Sequence, residues 1–202
     1  MFGLRNLFRG NSAAAQLEEM NHLGEAFTDL ARAGDGERSM DKFIQLVNCQ
    51  PTWTQFHFDV MDHVVRKELL ANVLHGPLQS AVREDPSNSI LHYINGLYHQ
   101  SLGSLEKAVA DYQTAFQINP KFAVAYHNLG IAYRMQGQLE LAVDAWQKAV
   151  GLDSRLAEPH LALGIQLRHM GKKKEADMHI RKFLQLANPS LEGYKNSASM
   201  LL

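Results

Sequence analysis

Cysteine is almost absent: Cys49 is the only one in 202 residues. A single thiol excludes an internal disulfide framework and any structural zinc site built on cysteines, and a reducing compartment is the simplest setting. An excess of one charge is missing too. Twenty Lys plus Arg against twenty-one Asp plus Glu leave a formal charge of -1, so there is no general cationic field to hold nucleic acid, and no nucleic-acid partner is expected. No stretch approaches the ~18 uncharged apolar residues of a membrane span. Met1 to Gly10 carries Arg5 and Arg9 where a signal peptide would have its apolar core, and a cytoplasmic protein is the expectation. What is present is an ordinary globular composition, 46% apolar and 20% charged. That excludes disorder of the whole chain, and a chain of this length buries roughly 70% of its extended surface on folding.

The glycines are placed rather than scattered. Gly96, Gly130 and Gly164 follow one another at 34 residues, Gly103, Gly137 and Gly171 lie seven further on, and Ala108, Ala142 and Ala176 keep the same step. At ordinary glycine usage, six glycines in prescribed places have a chance probability on the order of 10⁻⁷. A period of this length marks a repeat architecture. Each unit reads as two amphipathic helices. In the second, Tyr126, Leu129, Gly130 and Tyr133 form one helical stripe, and Gly137 is suited to a left-handed C-terminal cap. A second stripe follows through Leu139, Ala142, Val143, Trp146, Ala149 and Val150, before Asp153 and Ser154 break it. The neighbouring units match, one leading through Tyr112 and Phe116 to Asn119-Pro120, the other through Ile180 and Phe183 to Asn188-Pro189. Small residues at Gly96 and Ala108, and at Gly130 and Ala142, would let the two helices of a pair cross closely.

These residues resemble the tetratricopeptide repeat, a 34-residue helix-turn-helix. Tyr126, Leu129-Gly130, Tyr133, Ala142, Trp146 and Ala149 fit its pattern, with Ser154 where proline is usual. His92, Asn95, His99, His160, Leu167 and Phe183 depart from it, all at packing positions. The resemblance implies an all-α fold, a right-handed superhelix of antiparallel helix pairs, with three clear units over 89–190. Residues 16–88 read as two degenerate units. One would have Leu23, Phe27, Leu30 and Gly34 in its first helix and Met40, Phe43, Ile44 and Val47 in its second. The other would have a long helix through Trp53, Phe56, Val60, Met61, Val64 and Val65 and a short one after Gly76-Pro77, where Pro77 must sit near a helix start. Residues 191–202, with apolar Leu191, Tyr194, Ala198 and Leu201, suit a capping helix, and 1–15 a short amphipathic or flexible segment.

No catalytic constellation stands out, and no catalytic residue, cofactor or metal is assigned. The glycines follow the repeat and make no phosphate loop. Ten histidines are an excess, yet no pair is spaced i, i+4 on one helix. They read as structural histidines. Cys49 has no His or cation beside it and reads as an inert thiol. Lys172-Lys173-Lys174 reads as a solvated turn. As a helix, Met1 to Arg9 would gather apolar residues, Phe2, Leu4, Leu7 and Phe8 being its candidate membrane contacts beside Arg5 and Arg9. Such a segment suits an interfacial anchor, but at this length it would be marginal alone, and docking on its own repeats or on a partner, or disorder, are equal alternatives.

In the family the first helix of each unit lines a concave face that grips an extended peptide or helix. The outward positions are Tyr93 and Leu97, then His127, Asn128, Ile131 and Arg134, then Leu161, Ile165 and Arg168. Leu97, Ile131 and Ile165 are either contacts between units or a row of apolar anchoring points, which would suit a protein or peptide ligand with apolar anchors. Some relatives clamp the acidic tails of chaperones with Lys and Arg. Here Asn128 fits one clamp place, but Tyr93, Leu97, Glu158 and Ala162 stand where Lys, Asn, Lys and Arg would be expected. The expected function is a non-catalytic adaptor or assembly factor. The alternative is a membrane-peripheral, self-assembling scaffold anchored by residues 1–9.

Overall fold

The computed structural model describes residues 13–49, 75–187 and 191–202. The anchor positions Phe2, Leu4, Leu7 and Phe8, the helix expected through Trp53 and Val65, and the Asn188-Pro189 break lie outside the described residues. The chain divides into two compact units, Met1–Glu84 and Asp85–Leu202.

In the first unit, α1 (Ala13–Arg32) pairs with α2 (Gly36–Cys49), and α3 (His75–Glu84) packs on α2. Leu23 and Phe27 of α1 and Met40, Phe43 and Leu46 of α2 are buried, with the Phe27 and Phe43 rings 5.1 Å apart across the pair. Ser39 is buried there because its hydroxyl donates to the Phe27 carbonyl across the pair at 3.0 Å. Pro77 is the third residue of α3, inside the first turn, where a missing backbone N–H costs nothing.

The second unit is a run of hairpins: α4 (Ser89–Ser101) with α5 (Leu105–Ile118), α6 (Ala123–Met135) with α7 (Leu139–Leu152), and α8 (Ala157–His169) with α9 (Lys173–Leu186). Successive hairpins join through α5 on α6 and α7 on α8, and the first helices α4 and α6 also touch. A last helix, α10 (Glu192–Ser199), packs on α9. Leu191 and Ala198 close a core with Ala157, Ile180 and Phe183, whereas Tyr194 points away and is 54% exposed.

The repeated glycines have separate jobs. Gly103, Gly137 and Gly171 all adopt positive φ, 71°, 77° and 78°. Each sits just past a first helix, and the same pair of bonds recurs: Ser104 N–H to the His99 carbonyl and Gly103 N–H to the Gln100 carbonyl, repeated at Gln138 and Gly137, and at Lys172 and Gly171. This left-handed turn satisfies the last helical carbonyls and reverses the chain in three residues. Gly34, φ 81°, ends α1, and the Asp35 N–H reaches the Leu30 carbonyl at 2.9 Å in the same way. Gly96, Gly130 and Gly164 instead lie where the helices cross. A Cβ would fall 2.5 Å from the Tyr112 ring at Gly96, 2.5 Å from Ile180 at Gly164, and as tightly against the pyrrole edge of the Trp146 indole at Gly130.

Candidate functional site

The first helices carry the expected binding positions, and the structure divides them. Tyr93 is 1% exposed, and Leu97, His127 and Asn128 are buried as well, so these four correct the expectation of an outward row. The reason is packing between repeats. Asn128 of α6 donates its amide to the Tyr93 hydroxyl of α4 at 2.7 Å, and the Tyr93 ring lies 5.1 Å from Phe122 and 5.9 Å from Tyr112. Asn128 therefore couples two hairpins rather than offering its amide to a ligand. Burial holds the Tyr93 hydroxyl far above its ordinary pKa, with the Asn128 bond opposing. Burial also pushes the His127 imidazole down to about 3, so it is neutral at pH 7.

The other predicted positions keep access to solvent. Ile131 is half-buried against the core of Val143, Trp146, Leu163 and Leu167, and Leu161 against that of Ile180 and Phe183. Arg134 is exposed, and Ile165 is 36% exposed. Arg168 is half-buried and ion-paired with Asp177 of α9 at 2.9 Å. Exposed on α6 and α8 are thus Arg134, Met135, Ile165 and His169, with Ile131, Leu161 and Arg168 half-buried.

The histidines are organised in a way their sequence spacing does not show. In the first hairpin Asn95 donates to both carboxylate oxygens of Asp111, at 3.0 and 3.1 Å, while His99 and His92 flank the same carboxylate at 3.7 and 3.9 Å. Burial raises the Asp111 pKa, and the Asn95 bond and the two histidines pull it back. In the third hairpin His160 and His179 meet Nδ1 to Nδ1 at 2.9 Å. His160 Nε2 lies 3.2 Å from the Ser154 carbonyl, which can only accept. Its hydrogen is therefore on Nε2, and His179 donates to its bare Nδ1. Burial lowers the pKa of both rings, which fits a neutral pair. The signal was available in the 34-residue register: His92 and His160 are equivalent, as are Asp111 and His179. Among the described residues no group of three or more His, Cys, Asp or Glu is arranged to hold a metal ion, and no helix is long and apolar enough to cross a membrane.

Two family models match the chain, "TPR repeat" over residues 96–137 and "Tetratricopeptide repeat" over 123–156. No curated protein sequence matches it. The fold is similar to Pseudomonas aeruginosa PilF, with TM-score 0.60 and 15% identity, covering 86% of this chain and 79% of that one. It is similar to MamA from Desulfovibrio magneticus RS-1, with TM-score 0.55 and 20% identity over 84% and 95%. It is also similar to the first TPR of Spaghetti (RPAP3), which was solved bound to the HSP90 peptide SRMEEVD, with TM-score 0.50 and 18% identity over 56% and 91%. With paired helices at a 34-residue step, crossing glycines under Tyr112, Trp146 and Ile180, and two repeat models in register, residues 96–156 are tetratricopeptide repeats.

Proposed function

We propose that the chain is a non-catalytic adaptor that holds a peptide or helix of a partner protein along its first helices. Tetratricopeptide repeats are generally a non-enzymatic, protein-interaction fold. The observation that carries the reading is the set of apolar side chains left accessible on α6 and α8. Ile165 is exposed and Ile131 and Leu161 are partly so, while Arg134, one turn from Ile131, is exposed as well. An apolar anchor would desolvate against the isoleucines, and Arg134 would favour a carboxylate next to it. The Spaghetti (RPAP3) domain was solved with a peptide carrying two glutamates and a terminal aspartate. The present chain lacks the clamp residues for such a tail, which supports a more apolar ligand.

The test is a pull-down from native extract with wild type and an Ile165→Glu, Arg134→Ala variant, both first shown folded by circular dichroism. These exposed positions are preferable to Asn128, whose loss would loosen the packing against Tyr93. A partner lost only from the variant is the expected result, with affinity down by about 2 kcal/mol or more for a buried anchor. A partner retained equally by both would move binding off the first helices.

A further inference from the structure

The second helices differ in charge. α5 carries two acids and one base, as does α7, whereas α9 carries four bases, Lys173, Lys174, Arg181 and Lys182, against Glu175 and Asp177. On α9 the residues Lys174, Met178, Arg181 and Gln185 are all exposed and spaced 4, 3 and 4 apart, so they form one stripe. Its opposite side, Ala176, Ile180 and Phe183, is buried in the hairpin. Met178, in the middle of the stripe, is 59% exposed, an apolar side chain between two cations.

A stripe of the same spacing and the opposite sign lies on α1. This helix carries four acids, Glu18, Glu19, Glu25 and Asp29, against Arg32. Glu18, His22, Glu25 and Asp29 are exposed and again 4, 3 and 4 apart, backing onto buried Leu23 and Phe27. Among the described residues none of Glu18, Glu25, Lys174 and Arg181 is engaged in an ion pair.

We propose that α1 of a second copy of this chain lies along the α9 stripe, parallel to it, with Glu18 facing Lys174 and Glu25 facing Arg181. The proposal concerns faces other than the accessible positions on α6 and α8 and goes beyond the adaptor reading. A 4-3-4 spacing is the period at which two helices pack side by side at about 20°, and eleven residues give each stripe a length of about 16 Å. The register decides the direction. Parallel, both glutamates meet cations and the His22 ring crosses Met178. Antiparallel, Glu18 would meet Gln185, Glu25 would meet Met178 and His22 would meet Arg181, leaving Asp29 on Lys174 as the one acid–cation pair against two in the parallel register. Each copy offers one stripe and receives the other, so the contact is head-to-tail and continues from copy to copy. Exposed ion pairs are individually weak and screened by salt, so the assembly belongs to low ionic strength and high protein concentration.

Sedimentation velocity on the full chain tests this. In about 20 mM salt the wild type sediments above the single-chain mass of 22.7 kDa and grows with concentration, and in about 0.5 M salt it returns to that mass. A Glu18→Lys, Glu25→Lys variant and a Lys174→Glu, Arg181→Glu variant each stay at one chain in low salt. Mixed one to one they regain assembly, because each then supplies the stripe the other needs. The neutral Lys174→Gln, Arg181→Gln variant, milder toward the fold, weakens association about tenfold. Circular dichroism checks that each is folded. A wild type that stays at one chain at every concentration overturns the proposal, as it does if the stripes pair within one chain or serve a different acidic protein. Reversed variants that assemble like wild type, or a mixture that does not recover, overturn it as well.

Discussion

The first and second hairpins of the Asp85–Leu202 unit share a backbone and differ inside. Both cross at a glycine lying under an aromatic ring, Gly96 under Tyr112 and Gly130 under Trp146, and both turn through a left-handed glycine. Where α6 and α7 present Tyr126, Leu129, Tyr133 and Ala145, the equivalent places on α4 and α5 hold His92, Asn95, His99 and Asp111. The second hairpin fills that face by stacking Tyr126 on Phe116 at 4.5 Å, and the Tyr133 hydroxyl accepts from Gln113. The first fills it with a hydrogen-bonded carboxylate. The third mixes the two, keeping Leu163 and Leu167 but using the His160–His179 pair, and its His160 reaches a loop carbonyl as His92 reaches that of Pro86 at 3.0 Å. Only some parts of the repeat are therefore mechanical. The crossing glycine and the turn glycine are required by backbone geometry, whereas the face around position 111 needs only to be filled and satisfied.

The largest effect comes from breaking that satisfaction. Asp111→Ala leaves the Asn95 amide without its acceptor in a mostly buried place, and should cost about 2–3 kcal/mol in urea unfolding. Converting the hairpin to the chemistry of its neighbour, with Asn95→Leu and Asp111→Ala together, removes the donor along with the acceptor. It should return stability to within about 1 kcal/mol of wild type. A double variant as unstable as the single would mean that the carboxylate does more than accept from Asn95.

Acid separates the hairpins next. His127, buried under the second, has its pKa lowered to about 3 from an ordinary 6.5, and His160 and His179 in the third are lowered too. The unfolded chain therefore binds more protons as the pH falls below about 6.5, and the stability these rings contribute is lost progressively from there down to their folded values. For His127 alone the loss between pH 7 and 5.5 should be about 1 kcal/mol. Asp111 acts in the opposite sense, because its raised pKa favours the protonated folded form at low pH. Hydrogen exchange at pH 7 and 5.5 should show α6 to α9 losing protection while α4 and α5 lose less. A His127→Asn variant with an unchanged pH slope would remove His127 as the source.

The parts of this fold legible in the sequence are those with one physical solution. A glycine at a helix crossing and a glycine at a left-handed turn cannot be exchanged freely, so their 34-residue step stands out and gives the helix pairs directly. Exposure within the first helices was less legible. Helical periodicity places Tyr93, Asn128, Ile131 and Ile165 on comparable faces, but it does not tell a face turned to solvent from one turned to the next repeat. The Asn128–Tyr93 bond crosses that boundary, between residues 35 apart in sequence. The histidine pairings show only when the 34-residue register is combined with the pairing of the helices, since each needs a partner from the other helix of its hairpin.

The smallest predicted effect tests whether the divergent N-terminal hairpin uses the same device as the repeats. Gly34 and Gly137 share a positive φ, 81° and 77°, and a Cβ at either would meet nothing within 4 Å. An alanine there changes only the backbone strain, so Gly34→Ala and Gly137→Ala should each cost about 1 kcal/mol. Because the chain divides into two compact units, the losses are best read locally, as faster hydrogen exchange in α1 and α2 for one variant and in α6 and α7 for the other. Equal losses would make the left-handed turn the feature held in common by hairpins whose interiors share little, Phe27 on Phe43 in one and Trp146 over Gly130 in the other. A loss at Gly137 with none at Gly34 would mean that the α1–α2 turn is held instead by contacts such as the Ser39 bond to the Phe27 carbonyl, and that the likeness of the two turns is one of shape alone.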